Sequence, residues 1–261
     1  MTLTRKIHVE FVNPYVTSGL IAFWDGIWNV GYGKHDATAA AWRDLTGNGH
    51  DLSQSTGSVN WTDNALQIGA ADSLYGTGAA FEDIWNLTMS QTASTSLTLE
   101  IGYIADMDWS SGTIFISSLT GQWANACIGG IAIQDAVDPE TKQKPVNTFS
   151  NGAIASGLTF GSGIRKPFFA AATFTYNVNS GKFDCSTFAD GAHYHDHAGL
   201  SRYTMSMSKI GFGILPSSNY RHFLGRIHFA RLYRRALTPT EIAANYAGDK
   251  ERFGGEKSPA S

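Results

Sequence analysis

Gly225-Arg226-Ile227-His228-Phe229-Ala230-Arg231-Leu232-Tyr233-Arg234-Arg235-Ala236-Leu237-Thr238-Pro239-Thr240-Glu241-Ile242 writes a strand, a turn and the start of a helix in one run. Strand side chains repeat every two residues, so simple alternation puts Ile227, Phe229, Arg231 and Tyr233 on one side of the strand Phe223–Tyr233. Arg226, His228, Ala230 and Leu232 fall on the other. Both sets mix apolar and charged types, which predicts a strand partly covered on both faces. Thr238 then supplies an N-cap, Pro239 the first helical residue and Glu241 the reciprocal capping carboxylate. Ile242 and Tyr246 are four apart and share a helical face, and the helix is expected to stop near Gly248.

Working back along the chain, short runs of β-branched and aromatic residues recur between Gly, Ser, Asn and Asp clusters, the pattern of an all-β sandwich or barrel. The expected strands are Gly19–Trp24, Ala65–Ile68, Leu97–Ile104, Thr113–Ser117, Ile128–Ile133, Phe168–Tyr176, Lys182–Phe188 and Ser208–Ile214, ahead of Phe223–Tyr233. In the third of these, Leu97, Leu99, Ile101 and Tyr103 alternate with smaller or polar residues and should face an opposing sheet. The polar stretch Asp135–Lys144 reads as a long surface loop.

The 261 residues include 28 glycines and 12% aromatics but only 16% charged side chains, which fits one turn-rich β domain. A net charge of -3 offers no positive field for a phosphate backbone, so nucleic acid is not an expected partner. No apolar run approaches the roughly 20 residues of a spanning helix. The start, MTLTRKIHVEFVNPY, is too polar for a secretory leader, so synthesis in the cytoplasm is expected. Two cysteines, Cys127 and Cys185, are too few for a disulfide framework, and their sequence leaves open whether they pair.

Three stretches together resemble the laminin-G-like, pentraxin-like branch of the concanavalin A-like jelly rolls. One is Leu20-Ile21-Ala22-Phe23-Trp24-Asp25-Gly26 with Trp42-Arg43-Asp44-Leu45-Thr46-Gly47-Asn48-Gly49-His50-Asp51-Leu52. The second is the hairpin Phe168–Tyr176 and Lys182–Phe188 with its Ala189-Asp190-Gly191 tip. The third and most specific is the 225–242 run. The resemblance covers about Leu20 to Phe253 and fades from Thr77 to Gly163. It implies a two-sheet antiparallel jelly-roll β-sandwich with a short C-terminal helix. It also implies a domain that binds glycans or protein surfaces, in some members with calcium. The expected division is an N-terminal arm over 1–18, the jelly roll over 19–253 and a tail over 254–261.

Aromatic faces suit the C–H faces of sugar rings, so loop aromatics are the candidate ligand-binding residues: Trp28, Tyr32, Trp109 and Trp123, with Trp85 in a similar setting. Trp24, Trp42 and Trp61 are expected in the core. Asp44, Asn48 and Asp51 put hard oxygen donors on a glycine-rich turn and are the candidate calcium ligands, with Asp25 or Asp190 as further donors. Asx turns are the alternative use of the same residues. His193, His195 and His197 would share one face if extended, a pattern compatible with zinc or nickel, although a solvated loop is the expected conformation here. Glycoside hydrolysis needs two carboxylates about 5 to 10 Å apart, and Asp106 and Asp108 have the i, i+2 spacing, but at an expected strand end with no third acid beside them. The Glu-x-Asp-x-x-Glu strand of the glucan-hydrolysing families on this fold is absent. No catalytic residue is therefore assigned.

The expectation is a recognition or decoration module that is not an enzyme, its partners a cell-surface or other glycan, or a virion protein met through residues 1–18. Single laminin-G-like domains of this kind resemble bacteriophage virion components, which places the chain on a virion or an extracellular surface. A homo-oligomer is compatible with this. A polysaccharide-acting hydrolase or lyase on the same fold, or a purely structural assembly protein, are the alternatives.

Overall fold

A computed structural model describes residues 14–69, 72–78, 81, 96–106, 112–117, 130–133, 146–150, 153–155, 166–200, 209–213 and 223–254. Among them, fifteen strands form two antiparallel sheets and one helix closes the fold. The strands are β1 (Leu20–Asp25), β2 (Gln54–Thr56), β3 (Asn60–Thr62), β4 (Ala65–Ile68), β5 (Ser73–Thr77), β6 (Ser96–Ala105), β7 (Gly112–Ser117) and β8 (Gly130–Ile133). They continue as β9 (Val146–Ser150), β10 (Ala153–Ala155), β11 (Phe168–Asn177), β12 (Lys182–Ala189), β13 (Ala192–Leu200), β14 (Lys209–Gly213) and β15 (Gly225–Tyr233), followed by helix α1 (Pro239–Phe253). The first sheet runs β13-β12-β11-β6-β15-β4-β3, with β1 also on β15; the second runs β10-β9-β8-β7-β14-β5-β2. This is the expected sandwich.

The core between the sheets is built by alternation. Leu97, Leu99, Ile101 and Tyr103 of β6 all enter it, beside Phe168, Ala170, Ala172 and Phe174 of β11. Leu74, Ile210 and Phe212 meet them from the second sheet. Trp24 and Trp42 are fully buried there, and the half-buried Trp61 meets Trp42 edge-on at 5.3 Å.

Strict alternation fails in β15. Ile227 pairs with Tyr103 and Phe229 with Gly102, so His228 is an extra residue against β6. A bulge of this kind shifts side chains between faces. Ile227 therefore joins Ala230 and Leu232 in the inter-sheet core, while Phe229 and Tyr233 face the helix.

Helix α1 covers that second face. Its capping box is formed as expected, with the Glu241 amide donating to Thr238 and the Glu241 carboxylate accepting from the Thr238 amide. It does not stop at Gly248. That glycine is instead a close-approach point, where a Cβ would sit 3.2 Å from Pro14 and Tyr15, and the helix runs on to Phe253. Tyr15 and Val16, within the expected arm, pack on the domain: Tyr15 is buried beside Phe23 and Phe253, and the Val16 amide donates to Asn245.

Charge is enclosed under the helix. Arg231, 1% exposed, donates to Glu100 at 2.7 Å and to Asp249 at 2.9 Å, while Asn245 donates to Glu100 and to the Tyr233 hydroxyl. A cavity of about 10 Å³ beside Arg231, Asp249, Tyr246 and Gly191 has room for a water molecule at most, so it is not a ligand pocket.

Candidate functional site

Beyond β1 the chain leaves the sandwich and returns at Trp42, and this excursion carries the candidate residues. Asp25, fully buried at the end of β1, accepts from the amides of Ile27 at 2.9 Å and Trp28 at 3.1 Å, which turns the chain outward. Asn29 is also fully buried. Its side chain donates to the Asp36 carbonyl at 2.8 Å and accepts from the Asp36 amide at 2.9 Å, clamping the loop at both ends. Gly31 at φ 135° and Gly33 at φ 68° take turns that other residues adopt poorly, and they present Tyr32 between them at 48% exposure.

Trp28 and Tyr32 are brought together with ring centroids 5.6 Å apart. Arg252, from the last turn of α1, lies 4.2 Å from the centre of the Trp28 ring, within cation–π range. Its guanidinium is ion-paired to Asp25 and donates to the Tyr15 hydroxyl at 2.9 Å. The result is an aromatic pair set edge-on and anchored by a buried ion pair, with Trp28 half-buried and Tyr32 exposed. Burial, then the negative charges of Asp25 and Asp44, raise the Tyr32 hydroxyl above the usual phenol range, so it stays a neutral donor and acceptor.

Asp44, Asn48 and Asp51 are also gathered, but the Asp44 carboxylate is buried and already occupied by donors of its own loop and of β1. The Asp44 carboxylate accepts from the amides of Phe23, Thr46 and His50, from the Thr46 hydroxyl, and lies 3.2 Å from His50 Nδ1. Burial works to raise this carboxyl, and the His50, Thr46 and Phe23 donors outweigh it and hold it below the usual range. Asp51 accepts from the Asp44 amide and pairs with Arg43, and Asn48 donates to the Ile21 carbonyl at 3.0 Å. A calcium ion would have to displace these donors, so the residues fit an Asx-type turn and do not fit an open cation cage. Asp25 is committed to Arg252, and Asp190 accepts from the Phe169 amide at 3.1 Å.

His193, His195 and His197 lie on strand β13, not on a loop, and they do not share a face. The register shifts between Thr187 and Phe188, leaving Tyr194 as an extra residue, so His193 lies opposite Phe188 while His195 and His197 lie opposite Thr187 and Cys185. Burial and the neighbouring His195 hold the His197 imidazole below its usual range. Cys185 is buried. Asp106 is half-buried, accepts from Gln67 at 3.3 Å and sits 4.0 Å from Arg226. Trp85, Trp109, Trp123, Asp108, Cys127 and the Asp135–Lys144 stretch lie outside the described residues.

The residues missed from the sequence are Arg252, Asn29 and Tyr15. Nothing local signals them, because each acts on a segment that only folding brings near. Among the described residues, no helix is long and apolar enough to cross a membrane.

No family model matches the chain, and no curated protein sequence is similar to it. Solved structures match it by fold. A Trypanosoma rangeli sialidase in complex with sialic acid is 14% identical with a TM-score of 0.58, over 91% of this chain and 34% of the sialidase. Domain 4 of a GH43 extracellular arabinanase from Geobacillus stearothermophilus, in complex with arabinotriose, is 13% identical with a TM-score of 0.53, over 88% of this chain and 98% of that domain. A botulinum neurotoxin serotype D binding domain is 14% identical with a TM-score of 0.56, over 88% of this chain and 52% of that one. The chain spans only about a third of the sialidase. At these identities the likeness is one of fold.

The matches overturn the expectation of a protein apart from enzymes: the sialidase and the arabinanase are enzymes, and a sandwich of similar fold is a part of each. They lend nothing to the virion setting or to the laminin-G name in particular. The chain is a two-sheet antiparallel β-sandwich of the kind built into a sialidase, an arabinanase and a toxin binding domain.

Proposed function

We propose that this chain is the carbohydrate-engaging sandwich of a glycan-cleaving enzyme, and that the Trp28–Tyr32 platform is the surface that meets the sugar. The observation that carries the reading is the platform itself: two adjacent aromatic rings, one 48% exposed, preorganised by Arg252 and Asp25. Rigid aromatic faces with polar neighbours are what sugar recognition uses, and fixing them before binding lowers the ordering cost. Lys34 and His35, exposed on the same loop, are further hydrogen-bonding groups that a saccharide could use. The match to the whole of an arabinanase domain solved with arabinotriose supports a saccharide as the ligand class.

Enclosed carboxylates point the same way. Glu100, Asp249 and Asp25 are each bound to an arginine under the helix, so among the described residues these acids serve the fold, and the aromatic loop serves the glycan. Affinity electrophoresis through gels containing arabinan, xylan or a sialylated glycoprotein tests this, alongside reducing-sugar and sialic-acid release assays. Retardation on at least one polymer, lost in Tyr32→Ala, is the expected result. Unretarded migration on all of them, or equal retardation of Tyr32→Ala, would remove the platform from consideration.

A further inference from the structure

We propose that His195 and His197 form a two-imidazole binding site for a borderline divalent cation such as Zn²⁺ or Ni²⁺, with its other positions filled by water. The site is separate from the aromatic platform. Both histidines lie on one face of β13, opposite Cys185 and Thr187 of β12, and their ring centroids are 4.5 Å apart. That spacing lets two ring nitrogens turn toward one ion at the roughly 2.0 to 2.1 Å zinc–nitrogen distance.

Three further observations favour a cation over an idle pair. His197 Nε2 is shielded from solvent and has no hydrogen-bond partner among the described residues, a state buried polar atoms rarely keep and one that a metal bond would relieve. The bulge at Tyr194 turns the third histidine away, where His193 Nε2 lies 2.9 Å from Asp196 Oδ1. Asp196 is thereby tied to the other face, leaving imidazole donors that suit zinc, nickel or copper rather than calcium or magnesium. β13 is also the last described strand of its sheet, and His195 is exposed on it, so an ion can reach the pair from the His195 side. Among the described residues no three histidine, cysteine or acidic groups converge, so the chelate is bidentate.

Calorimetric titration of the full chain with ZnCl₂, in a non-chelating buffer at neutral pH, tests the assignment. One zinc per chain is expected, with affinity reduced by about tenfold or more in His195→Ala and in His197→Ala and unchanged in His193→Ala. Circular dichroism verifies the fold of each variant, and His197→Gln keeps the test alive should an alanine variant misfold. The site is wrong if the wild-type chain takes up no zinc. It is equally wrong if His193→Ala weakens binding as much as the other two, or if uptake persists in the double variant, which would point to a cysteine or to another surface.

Discussion

Arg252 lies over the Trp28 ring at 4.2 Å while its guanidinium is bound to the buried Asp25, tying the C-terminal helix to the loop that follows the first strand. The loop after β1 and the last turn of α1 thus share one aromatic and ionic junction. Removing the arginine leaves a buried carboxylate without its counter-charge, which costs about 3 kcal/mol or more. Arg252→Ala should therefore lower the urea midpoint markedly, and Arg252→Ala combined with Asp25→Asn should recover part of the loss. Additive losses in the double variant would show that the two side chains act independently.

Gly102 makes room for the rings that cover the helix-facing side of the sheet. Phe169 and Phe229 both pair with it in register and stack at 5.9 Å, and a Cβ at Gly102 would come within 2.3 Å of the Phe229 ring. Gly102→Ala is expected to destabilise by about 1 to 3 kcal/mol through overpacking, seen as a lower melting temperature. Trimming the ring in Gly102→Ala with Phe229→Leu should soften the effect.

The Asp44 carboxylate organises its turn through the backbone donors that meet it. Asp44→Ala should cost about 2 to 4 kcal/mol by stranding the Phe23, Thr46 and His50 donors. Thermal melts in calcium and in EDTA should coincide for the wild-type chain. A rise in the melting temperature with calcium, abolished in Asp51→Ala, would instead establish a cation at this loop.

Glu241 gives the fold an acid-sensitive contact. The Arg235 guanidinium first, and the Thr238 amide next, hold its carboxyl down at about 2. Since the folded value lies below the unfolded one of about 4.3, the contribution is complete above that pH and is lost as pH falls toward 2. Glu241→Gln keeps the capping geometry but not the charge. The stability gap between wild type and Glu241→Gln should be wide at pH 6 and close as pH approaches 2.5, measured by urea denaturation. A gap that stays constant would mean that the charge contributes nothing.

The sequence by itself determined the sandwich and the capped helix, because both are written in local periodicities. Leu97, Leu99, Ile101 and Tyr103 alternate, and Thr238 and Glu241 sit three apart, so neither needs information from elsewhere in the chain. The pairing of Trp28 with Tyr32 was half legible, as both were candidate residues on one loop. Only the tertiary structure decided which faces the side chains take where the register slips. One extra residue at His228 sends Ile227 into the core, and one at Tyr194 separates His193 from His195 and His197. A bulge is set by what the neighbouring strand offers, which alternation within one strand cannot encode. The same reason hid Arg252 and the inward turn of Asp44: a charged side chain's role is fixed by the partner that folding brings to it, and here those partners come from other parts of the chain.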